Sequence, residues 1–488
     1  MALGEVDYGL MGLVGGLVMF IEFFNGVLAS VNARFYAISV GAASVAKDKN
    51  GAIEECRHWF NTALSVHTLV PLFLIVIGYP LGIRAIEQWL TIPADRVHAC
   101  IWVFRFVCIS CFVSMVNVPF TAMYSAKQYI AELTIYSIVR STLNVLFLYY
   151  MVSHPGEWLG KYAAWTCFLS VAPQIVISMR ALVLFPECRV RVAYLWQWAY
   201  IKRLGVYSIW QFIGNLCWTL RTNGIPVVIN KFFGARMNAA MSIGTTVQAH
   251  CQTLAGAMQA AFVPVITQAC GAKNYVKMNE FVIRTCKFNV FLSMIFMLPL
   301  GLELSETLNI WLKEPPAFTA GLCYCAMIWY WISCPTIGHM VAVNAVGKVS
   351  GYYSVLGAVN ILVVPVSVYV AWLWRNVYAV MGAVVFFELL NSAGRVYFAR
   401  RHAKSSVREW GKSVVIPMVI TLVVCIPIGL IPRFVFPASF MRIVLTTSLC
   451  ELVLLPALWF IILSDEERMF VKERILKKSL DRFTNSTV

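Results

Sequence analysis

Charge is scarce in this sequence. Only 13% of its 488 residues are Asp, Glu, Lys or Arg, about half the roughly 25% of a soluble domain. Hydrophobic residues make up 60% of the chain, and its mean hydropathy is +0.74. One water-soluble core cannot bury that much apolar surface, so the expected solvent is lipid. Paired cysteines are missing too. The 15 cysteines are scattered through apolar segments, as Cys108, Cys111, Cys217 and Cys425 are, and no Cys-x-x-Cys occurs. Cys323 and Cys325 stand too close together for a zinc knuckle. They read as small buried hydrophobes, and no disulfide framework, metal or cofactor is expected. A phosphate-cradling Gly-rich loop with its lysine is also lacking, which argues against ATP hydrolysis by this chain.

What is present is a series of long apolar segments. A membrane-crossing helix needs about 20 predominantly apolar residues. Thirteen candidates satisfy this, at about 9–33, 59–82, 97–125, 128–152, 160–185, 204–230, 237–268, 282–311, 317–346, 349–374, 377–399, 413–432 and 438–463. If the spans alternate in direction, 27 Lys and Arg fall at one set of ends and 9 at the other. That bias assigns the basic ends, and the C-terminus, to the cytoplasm. It also accounts for the net charge of +16 without nucleic acid, since basic ends meet anionic membrane lipids.

The chain also repeats itself. An offset of 230 residues pairs Gly4 with Gly234, Met11 with Met241, Gly26 with Gly256, Gly41 with Gly271, Ala42 with Ala272 and Cys56 with Cys286. Internal duplication is common among transporters. The resulting division is an N-terminal lobe of five spans (1–185), a linker (186–203), a six-span C-terminal lobe (204–402), then two further spans and a basic tail (403–488). A span precedes Gly234 but none precedes Gly4. The expectation is therefore an all-α polytopic membrane protein built on fourteen helices, the first absent from this chain. Either the start codon lies upstream or the protein is natively short.

The opening LGEVDYGLMGLVGG, then NARFYAISVG, and later INKFFGARMNAAMSIG with AAFVPVITQACGAKN resemble the polysaccharide-biosynthesis flippases. These are the Wzx-type exporters of O-antigen and capsule repeat units, in the MOP superfamily that also holds the MATE drug exporters. The resemblance covers nearly the whole chain. It implies two pseudo-symmetric helical lobes around a central cavity, an alternating-access cycle and a place in the bacterial inner membrane. The implied cargo is a polyprenyl-diphosphate-linked oligosaccharide, with the polymerase and chain-length proteins of glycan assembly as partners. The chain departs from the family pattern in its missing first helix. It also has Met241 and Ser242 where relatives often carry a basic residue.

Three arginines lie deep in spans: Arg105, Arg140 and Arg221. A charge at that depth costs roughly 2.5–3.5 kcal/mol on insertion scales, so it needs a cavity or a partner. One reading is a cationic cavity in which these arginines, with Arg34 and Lys231 near opposite mouths, bind a diphosphate and acidic sugars. The planar guanidinium suits phosphate because it donates two hydrogen bonds and stays charged. The other reading is internal ion pairing, Glu22 with Arg140 and Glu388 with Arg221. Arg34 serves equally as a topology anchor. Glu22 and Glu388 are also candidates for ion or proton coupling. Gln211, Asn215 and Thr222 share a helical face, which suits either sugar hydroxyls or interhelical hydrogen bonds. His67 and His250 read as satisfied interhelical groups, and Pro264 and Pro335 as kinks.

Two other functions fit parts of this pattern. A MATE-type drug or cation antiporter would share the architecture but would want acidic groups in its cavity. A membrane glycan polymerase or ligase would need a long outer loop bearing carboxylates or histidine. No outer connection here exceeds about 16 residues.

Overall fold

The computed structural model describes residues 5–16, 19–154, 156–469 and 472–473. Among these the chain is nearly all helix, with no strand. Eleven of the helical segments are long and apolar enough to cross a membrane. The basic tail residues Arg474, Lys477, Lys478 and Arg482, and Gly4 of the repeat, lie outside the described residues.

The chain forms two compact units, Met1–Asn215 with Val263–Tyr275, and Leu216–Phe262 with Val276–Val488. The division falls within a helix at Asn215, beyond the 186–203 segment that the sequence marks as linker. Unit 1 contains α1 (Glu5–Gly16), α2 (Met19–Val45), α3 (Lys49–Arg84), α4 (Val97–Ala126), α5 (Ile130–Ser153) and α6 (Leu159–Leu184). Helix α4 packs against α2, α3 and α6. Leu10, Val14, Ile86, Cys100, Phe104, Cys108 and Leu159 form an apolar core beside it. A Cβ at Gly82 would sit 2.1 Å from the Phe104 ring, so any larger residue there would force that ring to move within the core.

The segment after α6 is no loose tether. Buried Glu187 takes a 2.6 Å salt bridge from Lys127 at the end of α4. Arg57 donates to the Pro186 carbonyl at 3.1 Å, and the Arg191 amide donates to Asn61 Oδ1 at 2.8 Å. His58 and Gln197 meet at 2.8 Å. Apolar patterning alone misses this strap, since polar side chains of α3 supply what its irregular backbone lacks.

Chain order then repeats. Helix α7 (Trp198–Phe233) leads into α8 (Ala235–Cys251) and α9 (Thr253–Gly271), then α10 (Tyr275–Leu302), α11 (Leu304–Leu312), α12 (Thr319–Ser333), α13 (Ile337–Val346), α14 (Ser350–Trp374) and α15 (Val377–Ala403). Helix α8 begins at Ala235, 230 residues after Glu5, the first described residue of α1, and Gly234 before it has a φ of +85° that suits glycine. The expected span 237–268 is broken at Gln252 into α8 and α9. The expected span 204–230 lies within α7, which carries Gln211, Asn215, Arg221 and Asn223 and is not among the eleven.

The last helices, α16 (Val407–Trp410), α17 (Ile416–Val435) and α18 (Phe440–Ala457), belong to unit 2. An ion pair fastens α18. Glu303, 3% exposed between α10 and α11, accepts from Arg442 Nη2 at 2.8 Å and from Thr446 at 3.1 Å. Arg442→Ala leaves that carboxylate buried without its cation and should lower stability by about 2–3 kcal/mol. Thermal unfolding of the detergent-purified protein checks this. A Glu303→Leu, Arg442→Leu double variant should recover part of the loss, and no recovery would mean that the pair is not what fastens α18.

A polar cavity in unit 1 and a buried ion cluster in unit 2

Hydroxyl and amide side chains recur along three unit 1 helices. On α4 they are Ser110, Ser114, Asn117 and Thr121; on α6, Thr166, Ser170 and Gln174; on α5, Tyr136, Ser137 and Arg140. The three or four residue spacing turns the α4 and α6 sets to one side, and with Asn25 of α2 and Tyr136, Ser137 and the guanidinium of Arg140 on α5 they line two adjoining pockets. The volumes are about 270 and 330 Å³, and both pockets include Asn25, Ser114, Arg140, Ser170 and Gln174. Asn25 donates to Ser114 Oγ at 3.2 Å, and Ser178 donates to Asn117 Oδ1 at 2.6 Å. Asn25 Oδ1 and Gln174 Oε1 are buried without a hydrogen-bond partner among the described residues. Among those residues Arg140 is the one charged group lining either pocket, and no carboxylate lines them.

In unit 2, helices α12, α14 and α15, joined by Arg221 and Trp218 of α7, carry a packed ion cluster. Glu388 is fully buried, with Arg221 at 2% and Arg395 at 7% exposure. Glu388 Oε2 accepts from Arg221 Nη1 at 2.8 Å and from the Trp329 indole at 2.8 Å. Its Oε1 lies 3.3 Å from Arg395 Nη2. Asn360 Oδ1 takes further hydrogen bonds, at 3.0 Å each, from Arg221 and Asn391. The Arg395 Nη1 donates to Ser333 Oγ at 2.7 Å. Trp218 and Trp329 place their rings 5.5 and 5.4 Å from the Arg221 guanidinium, within cation–π range. Two guanidinium groups thus share one carboxylate.

The other candidates fall elsewhere. Arg105 is on an exposed face of α4, donating to the Tyr79 hydroxyl at 3.0 Å and lying 4.8 Å from the Trp102 ring. Arg34 is half-buried midway along α2, 4.5 Å from the Tyr207 ring. Gln211 accepts from Ser30 of α2 at 3.0 Å and donates to Tyr207. Asn215 donates to its own helix at the Gln211 carbonyl. Lys231 is exposed in the last turn of α7. The side chain of Glu22 lies outside the described residues. His67 is fully buried and meets Asn32 at 3.2 Å, while His250 is exposed.

Sequence reasoning picked out Arg140, Arg221 and Glu388 but passed over Asn25, Ser114, Ser170 and Gln174. The signal for the last three was the recurrence of hydroxyl and amide residues at helical spacing. Arg395 is one of the 27 basic residues that the sequence groups at the cytoplasmic ends, because it stands in the last turns of the 377–399 span. Helix α15 continues to Ala403, which keeps Arg395 on its packed face.

No protein-family model matches the sequence, and neither does any curated protein. Solved structures do match in fold. One is the outward-facing conformation of a multidrug resistance MATE family transporter of the MOP superfamily, with a TM-score of 0.66 and 14% identity over 82% of this chain and 89% of that one. A second is MATE in complex with MaL6, with a TM-score of 0.62 and 13% identity over 83% and 91%. A third is a MOP superfamily transporter from Pyrococcus furiosus, described as having a binding pocket of reverse polarity that suggests a different function. Its TM-score is 0.64, with 14% identity over 83% and 92%. The chain therefore shares its fold with these MATE and MOP superfamily structures.

Proposed function

We propose that this transporter carries polyprenyl-diphosphate-linked oligosaccharide units from the cytoplasmic to the outer leaflet of a bacterial inner membrane, by alternating access, for O-antigen, capsule or exopolysaccharide assembly. The observation that carries this reading is the unit 1 cavity, where a single guanidinium stands among hydroxyls and amides with no carboxylate among the described lining residues. Arg140 would hold the diphosphate through paired N–H donors. Asn25, Ser114, Ser170 and Gln174 would meet sugar hydroxyls. The basic helix ends orient the chain with its C-terminus in the cytoplasm. The membrane potential then aids export of an anion by about 2.3 kcal/mol per charge per 100 mV.

A cation or drug antiporter is the competing reading, favoured by the MATE neighbours. Such cargo wants a carboxylate in the cavity, and the described lining offers none. The test is reconstitution into vesicles. Purified protein should expose fluorescent lipid-linked oligosaccharide to the opposite leaflet at a rate well above empty vesicles, and should not move cationic dyes under a proton or sodium gradient. Dye transport without lipid movement would reverse the assignment.

A further inference from the structure

Gly41 and Gly271 occupy equivalent places in the repeat, and in the structure each lies against the other's helix. A Cβ on Gly41 would sit 2.0 Å from the carbonyl oxygen of Gln268 and 2.7 Å from its Cα. A Cβ on Gly271 would sit 2.2 Å from the carbonyl oxygen of Ile38 and 2.8 Å from its Cα. Ile38 and Gln268 are themselves 230 residues apart, each three places before its glycine. The contact is therefore reciprocal, as at a local two-fold axis through the crossing of α2 and α9.

Both obstacles are backbone atoms, so no side chain can turn aside to make room. Backbones approach this closely only across small residues, where Cα–H groups meet carbonyls. The crossing lies inside unit 1, because the last part of α9, Val263 onward, belongs there while residues up to Phe262 do not. A side-chain tie accompanies it. Gln268 Nε2 donates to the Ala126 carbonyl at the end of α4, and its Oε1 accepts from Gln128 at 3.1 Å. The same two helices supply a contrast. Gly26 and Gly256 are also paired by the repeat, yet a Cβ at either would meet nothing within 4 Å.

We propose that the Gly41–Gly271 crossing is a backbone clasp and the gate of the transport cycle at the basic end of the helices, closed here and parted when cargo enters from that end. The inference rests on the transport reading but not on the identity of the cargo. A clasp of bare backbones closes tightly, and the side-chain tie that accompanies it is the Gln268 pair of hydrogen bonds, which must break when the helices part. An added methyl group at either glycine opposes the closed state alone, since parted helices have space for it.

The test places spin labels, carried on genetically encoded ketone residues, at Val45 and Lys273 in the otherwise native full chain in lipid nanodiscs. Val45 is 64% exposed and Lys273 also faces outward, so both positions tolerate a label. Gly41→Ala and Gly271→Ala should each lower the ratio of short to long distances roughly tenfold, a shift of the size that biases a two-state equilibrium. Gly26→Ala and Gly256→Ala should leave the distribution as in wild type. Unchanged distances in both clasp variants would overturn the proposal. If those variants cannot be purified, hydrogen exchange on the wild-type protein serves instead. In the same nanodiscs, amides of 36–45 and 265–275 should exchange faster than those of 100–120, and protection equal to that of 100–120 would equally overturn it. Both readouts need no cargo, so they stand apart from the lipid-linked glycan assay.

Discussion

Glu388→Ala should be among the most damaging single substitutions in the chain, lowering stability by about 3–5 kcal/mol. The reason is charge balance rather than missing packing. Among the described residues Glu388 is the only carboxylate joined to Arg221 and Arg395, and both arginines are buried. Removing it leaves two like charges facing each other in the interior of unit 2. Removing either arginine does the opposite. Arg221→Met leaves the Glu388–Arg395 pair, and Arg395→Met leaves the Arg221–Glu388 pair at 2.8 Å. Each arginine variant should therefore lose less than half as much as Glu388→Ala. Glu388→Gln should fall between, since an amide still accepts from the Trp329 indole but carries no charge. Thermal unfolding of the four purified variants in one detergent decides the matter. Equal losses for Arg221→Met and Glu388→Ala would mean that packing around Trp218 and Trp329, not charge, sets the stability of this cluster.

The same cluster marks how far the sequence could be read. Hydropathy located the spans because apolar length is a local property, and the repeat followed from the shared offset of 230. Pairing of Glu388 with Arg221 was one of two open alternatives, and both residues were visible as charges at membrane depth. Arg395 was not, because its burial depends on α15 running to Ala403 and packing against α12 and α13. Arg34 shows the same effect. Sequence places it at a helix end, yet α2 continues to Val45, where tertiary packing holds helix beyond the apolar stretch. The cavity was legible only through Arg140. Serine and threonine on membrane helices can satisfy themselves on the carbonyl four residues back, as Thr68, Thr134 and Ser137 do here. Their identity alone therefore does not distinguish a wet wall from a dry one. That distinction needs the neighbouring helices, which turn Ser110, Ser114, Thr166 and Ser170 toward a common space.

For the cavity itself the decisive substitution is Arg140→Ala, which should lower lipid-linked oligosaccharide movement by roughly ten- to a hundredfold. A charged hydrogen bond is worth about 1.5–3 kcal/mol, and each 1.4 kcal/mol is a factor of ten. Protein level and thermal stability should stay near wild type, because Arg140 is exposed to the cavity and forms no salt bridge with a described side chain. Arg140→Lys should restore part of the rate, since it keeps the charge but loses the planar fork that grips two phosphate oxygens. Arg105→Ala is the matched contrast. It removes a guanidinium from the same unit, but one on an exposed face against Tyr79 and Trp102, so transport should change little. The cargo offers a second lever. If Arg140 reads phosphate, the difference between wild type and Arg140→Ala should shrink on a lipid-linked sugar lacking the diphosphate. Wild-type transport by Arg140→Ala on the diphosphate cargo would remove the basis for an anionic passenger in this cavity. The fold would stand, and the antiporter reading would become the better one.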